Sequence, residues 1–396
     1  MLQHKTVICR EGLFYLLVLA FVAFGSILRD VNLLMVIAGM MLFPFLLNWR
    51  AAVVSLRGLT VERQLPKSIT AGELLVVNIA IKNRGGRFFR GKRASWAVKL
   101  DDSIRNESTP ATIPAKTVGL IFWRIAADHS AQLSYSARLY QRGIYCIGPA
   151  LLSTGFPLGL IRHSRLCKQS DRVIVFPRCG NLTPHWIRIF QATGSSKTSE
   201  FGMSDRPLGD FHGLRDWRTG DGRRLIHWRS TARRGVPVVR QFEQQRRQDL
   251  HLLVDLWEDG TASETAEEIL ENTLSFAATI VTDLCHRGSA HLRLTIHGGE
   301  VTQHTAVANM RILPQLLTLL ATATPCRQDR LTELVSELHE PAPAAMSTLI
   351  LSRRPLEPDE LAAACGRSGE RGLALRSLTC IHTAGEELQQ FFEPPR

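Results

Sequence analysis

Apolar positions change their period twice along this chain, and each change predicts a different element type. Two unbroken apolar runs come first, Leu13 to Leu28 and Val31 to Leu47, separated by Arg29-Asp30. At 1.5 Å per residue each run reaches about 24–26 Å, just short of a hydrocarbon core of about 30 Å. Gly12 before the first run, with Asn48 and Trp49 after the second, supplies the remaining length at the interfaces. The pair predicts a transmembrane helical hairpin within residues 1–57, with spans at about 13–28 and 31–47. A cleaved leader would show one run and a small-residue cleavage site. Pro44 near a span end is tolerable there, because freed backbone groups can find other partners.

Between Leu59 and about Pro177 the pattern becomes short alternating segments broken by turn residues. Glu73–Asn83, Ser95–Leu100, Leu120–Ile125 and Val173–Pro177 read as strands. Gly85-Gly86 and the stretch from Pro110 to Pro114 mark turns. Short strands at this spacing predict an immunoglobulin-like β-sandwich over residues 58–178. Residues 179–248 read as a linker followed by an arginine-rich block, with Thr193–Arg206 rich in Gly, Ser and Thr. Gly194-Ser-Ser-Lys-Thr198 is not a phosphate-binding loop, since Ser196 stands where the second glycine must be.

From Asp249 the period changes again. Leu250–Asp255, Ala290–Ile296, Ser347–Ser352 and Leu373–Ile381 read as strands. Glu264–His286, Ile312–Ala321 and Pro358–Cys365 read as helices between them. This alternation predicts a parallel, doubly wound α/β sheet over residues 249–396. Ligands of such sheets lie beyond the carboxyl ends of the strands, which singles out Asp255.

Charge then orients the chain. Lys5 and Arg10 precede the first run, and Arg50, Arg57 and Arg63 follow the second, while the turn carries one arginine and one aspartate. The positive-inside rule places both flanks, and everything after Trp49, in the cytoplasm. The eight cysteines are scattered, with no C-x-x-C and no zinc spacing, as expected of free thiols in a reducing compartment. A net charge of +12 favours anionic partners without choosing among acidic proteins, lipid head groups and nucleic acid.

The densest run of basic residues lies between Gly209 and Glu243. Eight arginines fall within 26 residues, from Arg215 to Arg240, interleaved with Asp210, Asp216 and Asp221 and with Trp217 and Trp228. Guanidinium groups pair bidentately with carboxylates, so the block can tie loops together internally, and it can equally present a docking surface. His212 and His227 show no dedicated metal-ligand spacing, and the arginines around them repel a cation. The embedded acids also weigh against nucleic acid as the partner.

Within this block Gly209, Arg215, Trp217, Gly220, Asp221, Arg224, Trp228, Arg229, Arg233 and Gly235 closely resemble the signature of the bacterial "domain of unknown function 58" family. Arg142-Gly-Ile-Tyr145, Gly148-Pro149 and Pro157-Leu-Gly-Leu160 extend the resemblance upstream, where turn chemistry alone also explains them. The resemblance implies a bacterial inner-membrane protein with a von Willebrand factor A-like C-terminal domain. It also implies work beside a MoxR-type AAA+ ATPase in protein assembly or envelope integrity, with that ATPase and other membrane or envelope proteins as partners. Domains of the A type hold Mg²⁺ through D-x-S-x-S, whereas here Asp255-Leu-Trp-Glu-Asp259 puts Trp257 at the first serine. Tryptophan offers no oxygen to a hard cation, so Asp255 and Asp259 would have to gather one by another geometry. No cofactor is expected otherwise.

The resulting expectation is a non-enzymatic, membrane-anchored scaffold that meets lipid through its hairpin. The alternatives are a hydrolase with an unrecognised Ser/His/Asp site, and an anion- or nucleic-acid-binding module. No G-x-S-x-G, H-E-x-x-H or S-x-x-K pattern supports the hydrolase.

Overall fold

The computed structural model describes residues 4–29, 32–84, 93–108, 115–186, 188, 210–218, 221–243, 249–258, 264–288, 290–328, 346–356, 378–385 and 387–395. Two units divide the chain, 1–176 and 177–396.

The first unit opens with strand β1 (His4–Ile8), which the sequence pattern does not announce, followed by helices α1 (Arg10–Arg29) and α2 (Asn32–Ser55). Both helices are long and apolar enough to cross a membrane, and most of their apolar side chains are exposed. The Tyr15 phenol donates to the Met41 carbonyl at 2.7 Å, which ties the two helices and satisfies a hydroxyl that lipid could not. Helix α2 continues about two turns beyond its apolar run. Ala52 in that extension is fully buried.

Among the described residues ten further strands belong to this unit. They are β2 (Leu59–Gln64), β3 (Ser68–Thr70), β4 (Leu74–Asn83), β5 (Ser95–Asn106), β6 (Lys116–Ile125), β7 (Ser130–Arg138), β8 (Gly143–Ile147), β9 (Ala150–Thr154), β10 (Ile161–Cys167) and β11 (Asp171–Phe176). One sheet runs β1-β10-β9-β5-β8-β11-β3 with β6 added on β5, and the other runs β2-β4-β7. Alternation explains how they close into a two-sheet β-sandwich. Leu75, Val77, Ile79 and Ile81 of β4 meet Val98, Leu100, Ile147 and Leu152 of the larger sheet in one core. A salt bridge lies within this apolar layer: Arg63 and Asp102, with side chains 1% and 0% exposed, contact at 2.8 Å. The Tyr135 hydroxyl donates to the same carboxylate at 3.1 Å, and Arg63 also reaches Asp171 at 3.3 Å. Burial, followed by the Asp102 charge, raises the Tyr135 phenol well above its ordinary value.

Two of the turns singled out in the sequence, at Gly148-Pro149 and Arg142–Tyr145, have a steric or hydrogen-bonding reason for their residues. Gly148 has φ +106°, and a Cβ there would stand 2.7 Å from the Gln169 carbonyl. The Tyr145 hydroxyl donates to the Gln141 carbonyl at 3.0 Å, closing the Arg142–Tyr145 turn on itself.

In the second unit residues 178–186 are not a linker. The carbonyl of Arg178 accepts from Ser275, and β12 (Asn181–Leu182) pairs with the last strand, β20 (Phe392–Glu393). Trp186 meets Phe276 edge-on at 5.6 Å, and Phe276 meets Phe392 at 5.2 Å. The arginine-rich block forms strands β13 (Asp210–Asp216) and β14 (Val238–Glu243) with helix α3 (Trp228–Arg234) between them. The rest is an α/β layer built from β15 (Leu250–Asp255), α4 (Glu264–Arg287), β16 (His291–His297), β17 (Val301–Val307), α5 (Leu313–Thr322), β18 (Ser347–Ser352), β19 (Leu378–His382) and α6 (Glu387–Phe391). Its sheet order is β17-β16-β15-β18-β19. All neighbours are parallel except β17, which adds antiparallel to β16 and is not foreseen in the sequence reading. The helix expected at 358–365 and the glycine-rich stretch at 193–206 lie outside the described residues.

Candidate functional site: the arginine-rich hairpin and the sheet end

Strands β13 and β14 pair antiparallel with a bulge between Phe211 and Gly213. Their long connection is held by its own backbone. The Trp217 amide donates to the Pro237 carbonyl at 2.9 Å and the His227 amide to the Val238 carbonyl at 2.8 Å. Helix α3 is closed at its start by the His227 ring, whose Nδ1 accepts from the Ser230 amide, and at its end by Gly235 in the left-handed region with φ 73°. The Thr231 hydroxyl accepts from the Val238 amide at 3.0 Å and binds the helix to the returning strand.

Among the signature arginines, Arg215 takes the internal role. Its two terminal nitrogens straddle Asp221 at 2.8 and 2.7 Å, and the Arg218 amide donates to the same carboxylate at 2.8 Å. The hydrogen bond from Arg215, then the Arg218 amide, holds the Asp221 carboxyl below its ordinary range, and the same pair raises the Arg215 guanidinium. This is the bidentate loop tie that the residue types suggest. Arg224 is exposed and engaged with a partner of its own. Trp228 is 68% exposed and Trp217 is also exposed, as are Arg229, Arg233, Arg234 and Val236. Among the described residues no carboxylate pairs with Arg229, Arg233 or Arg234. Gly209 and Gly220 lie outside the described residues.

A second constellation stands at the carboxyl ends of β15 and β18. Asp255 is buried, and its carboxylate accepts from the Ser352 hydroxyl at 3.0 Å, from Arg354 Nε at 3.1 Å and from the Trp257 amide at 3.3 Å. The Arg354 guanidinium also lies 5.1 Å from the centroid of the Trp257 ring. Asp255 therefore has a cation beside it already, supplied by the chain. Asp259 lies outside the described residues, and among those described no three His, Cys, Asp or Glu side chains gather as metal ligands. Ser352 and Arg354 escape a reading of the sequence alone. Ser352 ends β18 and Arg354 lies just after it, so they are found only once β18 is known as the neighbour of β15.

For the hydrolase alternative, the Ser230 hydroxyl lies 2.8 Å from His227 Nδ1. That same nitrogen accepts from the Ser230 amide, so the pair caps α3, and no carboxylate orients the ring among the described residues.

Comparison with other proteins sets these two constellations in one frame. A curated relative, "Uncharacterized protein YeaD" of Bacillus subtilis, is 24% identical over 169 residues, 41% of this chain and 39% of its own length. The chain thus matches well under half of that relative. Among solved structures, a CARDB domain from Pyrococcus furiosus has 17% identity and a TM-score of 0.19, covering 30% of this chain and 94% of that one. A β-glucosidase from Listeria innocua has 15% identity and a TM-score of 0.20, covering 30% and 16%. Residues 213–354, a stretch that holds both the Arg215–Asp221 tie and the Asp255–Arg354 pair, match the family described as "Protein of unknown function DUF58".

Proposed function

We propose that this chain is a membrane-anchored interaction protein. In this reading the exposed face of the β13–β14 hairpin docks an acidic protein surface on the cytoplasmic side of the bacterial inner membrane. One observation carries the reading. The hairpin satisfies its own backbone through Arg215–Asp221, His227, Thr231 and Gly235, while Trp228, Arg229 and Arg233 are exposed and the two arginines pair with no carboxylate among the described residues. Exposed tryptophan and arginine are the side chains in which binding energy concentrates at protein interfaces. The resemblance supplies the partner class, a MoxR-type AAA+ ATPase acting in protein assembly or envelope integrity. It also supplies the refinements of an immunoglobulin-like sandwich and a von Willebrand factor A-like sheet.

The test is in-cell crosslinking of the full-length, membrane-embedded protein followed by mass spectrometry, with the triple variant Trp228→Ala, Arg229→Glu, Arg233→Glu alongside. Recovery of an AAA+ ATPase or its clients is expected from the parent chain. The variant should weaken that capture by about 30-fold, matching the loss of a hot spot worth about 2 kcal/mol. If the parent chain yields only lipid, self-contacts or nucleic acid, the docking reading is wrong.

A further inference from the structure

The turn between β9 and β10 is clamped to both apolar helices at one level. On α2 the clamp is Asn48, the residue that follows the apolar run and is fully buried. Its carboxamide oxygen accepts from the Leu158 amide at 3.2 Å and the Leu160 amide at 3.3 Å, and its nitrogen donates to the Gly155 carbonyl at 3.4 Å. On α1 the clamp is Gly12, the residue that precedes the apolar run. A Cβ there would collide with the Leu160 carbonyl, and that carbonyl also accepts from the Cys9 amide at 2.9 Å. Only glycine lets the helix approach the turn so closely.

The turn held this way is apolar at its tip. Phe156 is 39% exposed and Leu158 52% exposed, and Trp96 of β5 stacks on Phe156 at 5.9 Å. The Arg124 guanidinium lies 5.2 Å from the Trp96 ring centroid. Exposed Trp49 on α2 sits beside Asn48 in sequence, at the same boundary. Aromatic residues with a basic neighbour, placed where apolar spans meet polar flanks, match the chemistry of the lipid head-group layer.

We infer that the Phe156–Leu158 turn, with Trp96, seats in the head-group layer of the bilayer that holds α1 and α2, making the β-sandwich a lipid-contacting domain. This inference rests on the membrane-anchor reading. The occupant is phospholipid because the patch is continuous with the spans: Asn48 and Gly12 set its depth at the ends of the apolar runs. A turn in bulk water gains nothing from exposing these side chains, whereas at the interface their burial is favourable.

The experiment uses the full-length protein in vesicles of phosphatidylethanolamine and phosphatidylglycerol. The photocrosslinker p-benzoylphenylalanine replaces Phe156, Leu158, Tyr140 or Phe21, one at a time, and adducts are identified by mass spectrometry. Tyr140 is exposed just before β8. Strands β8 and β9 follow each other along β5, so Tyr140 stands roughly 35 Å from the turn. Phe21 lies mid-span on α1. Lipid adducts at Phe156 and Leu158 with none at Tyr140 are expected, and Asn48→Ala should reduce the adducts at Leu158. Adducts at Phe21 with none at the turn would overturn the inference and leave the anchor standing. Absence at Phe21 and at the turn would overturn both, and protein adducts at the turn would replace lipid with a protein partner.

Discussion

Arg63 and Asp102 show how one pair of side chains can dominate a core. Both side chains are buried, and each answers the other's charge, with Asp171 a second carboxylate for Arg63 and the Tyr135 hydroxyl a second donor to Asp102. The burial of Arg63 favours its neutral form, yet the hydrogen bond and charge of Asp102, joined by Asp171, raise its pKa overall. Arg63→Met is expected to destabilise residues 1–176 by about 3–5 kcal/mol, because Asp102 is left buried without a counter-charge. Unchanged thermal unfolding of that variant in detergent would remove the pair from the list of what holds the sandwich together. The sequence marks Arg63 only as one more positive flank of the hairpin, since nothing in linear spacing brings it to Asp102. Arg354 escapes in the same way, its meeting with Asp255 depending on the parallel register of β15 and β18. By contrast the Arg215–Asp221 tie is local, six residues apart, and the residue types suggest it directly.

At the scale of elements, the alternation of β4 and the apolar runs of α1 and α2 are legible because each element's burial is decided by its own period. Strand β1 is not legible. Its five residues are all exposed, and it exists because β10 offers an open edge. That dependence makes β1 sensitive to acid. Its Thr6 hydroxyl lies 2.8 Å from His163 Nδ1 on β10, and His4 stacks on His163 at 5.6 Å. Burial, then the charges of His4 and Arg57, lowers the His163 pKa below its ordinary value of 6.5. With the folded pKa depressed, the unfolded state takes up protons first. The stabilisation is complete above pH 6.5 and is lost as pH falls through that value toward the folded pKa. Amide protection factors at residues 4–8, corrected for the intrinsic slowing of exchange in acid, should therefore fall between about pH 7.5 and about pH 5.5, one unit to either side of the ordinary histidine pKa. Equal protection of β1 across that range would show that His163 does not govern its docking.

For the whole molecule, the useful division falls at 176/177, and the segment read in the sequence as linker carries part of the second unit's core. Trp186 closes on Phe276 and Phe392, and β12 pairs with β20. A fragment of residues 177–396 should consequently melt cooperatively, and Trp186→Ala within it should cost about 3–5 kcal/mol. Equal melting of fragments 177–396 and 249–396 would return residues 177–186 to the status of a tether. The segment hides in the sequence because two-residue strands and one tryptophan produce no period.

The pairing of β1 with β10 has a consequence for biogenesis. In the proposed membrane-anchored topology β1 and β10 are separated by two crossings, so a chain that has inserted α1 can pair them only after α2 has returned it to the starting side. A chain that inserted α1 but left α2 behind would strand β1 across the bilayer from β10. The sandwich would then display a bare, unpaired edge, the kind of surface that recruits chaperones and proteases. In that topology sheet closure reports on threading, because the β1–β10 hydrogen bonds form only in a chain that has crossed and returned.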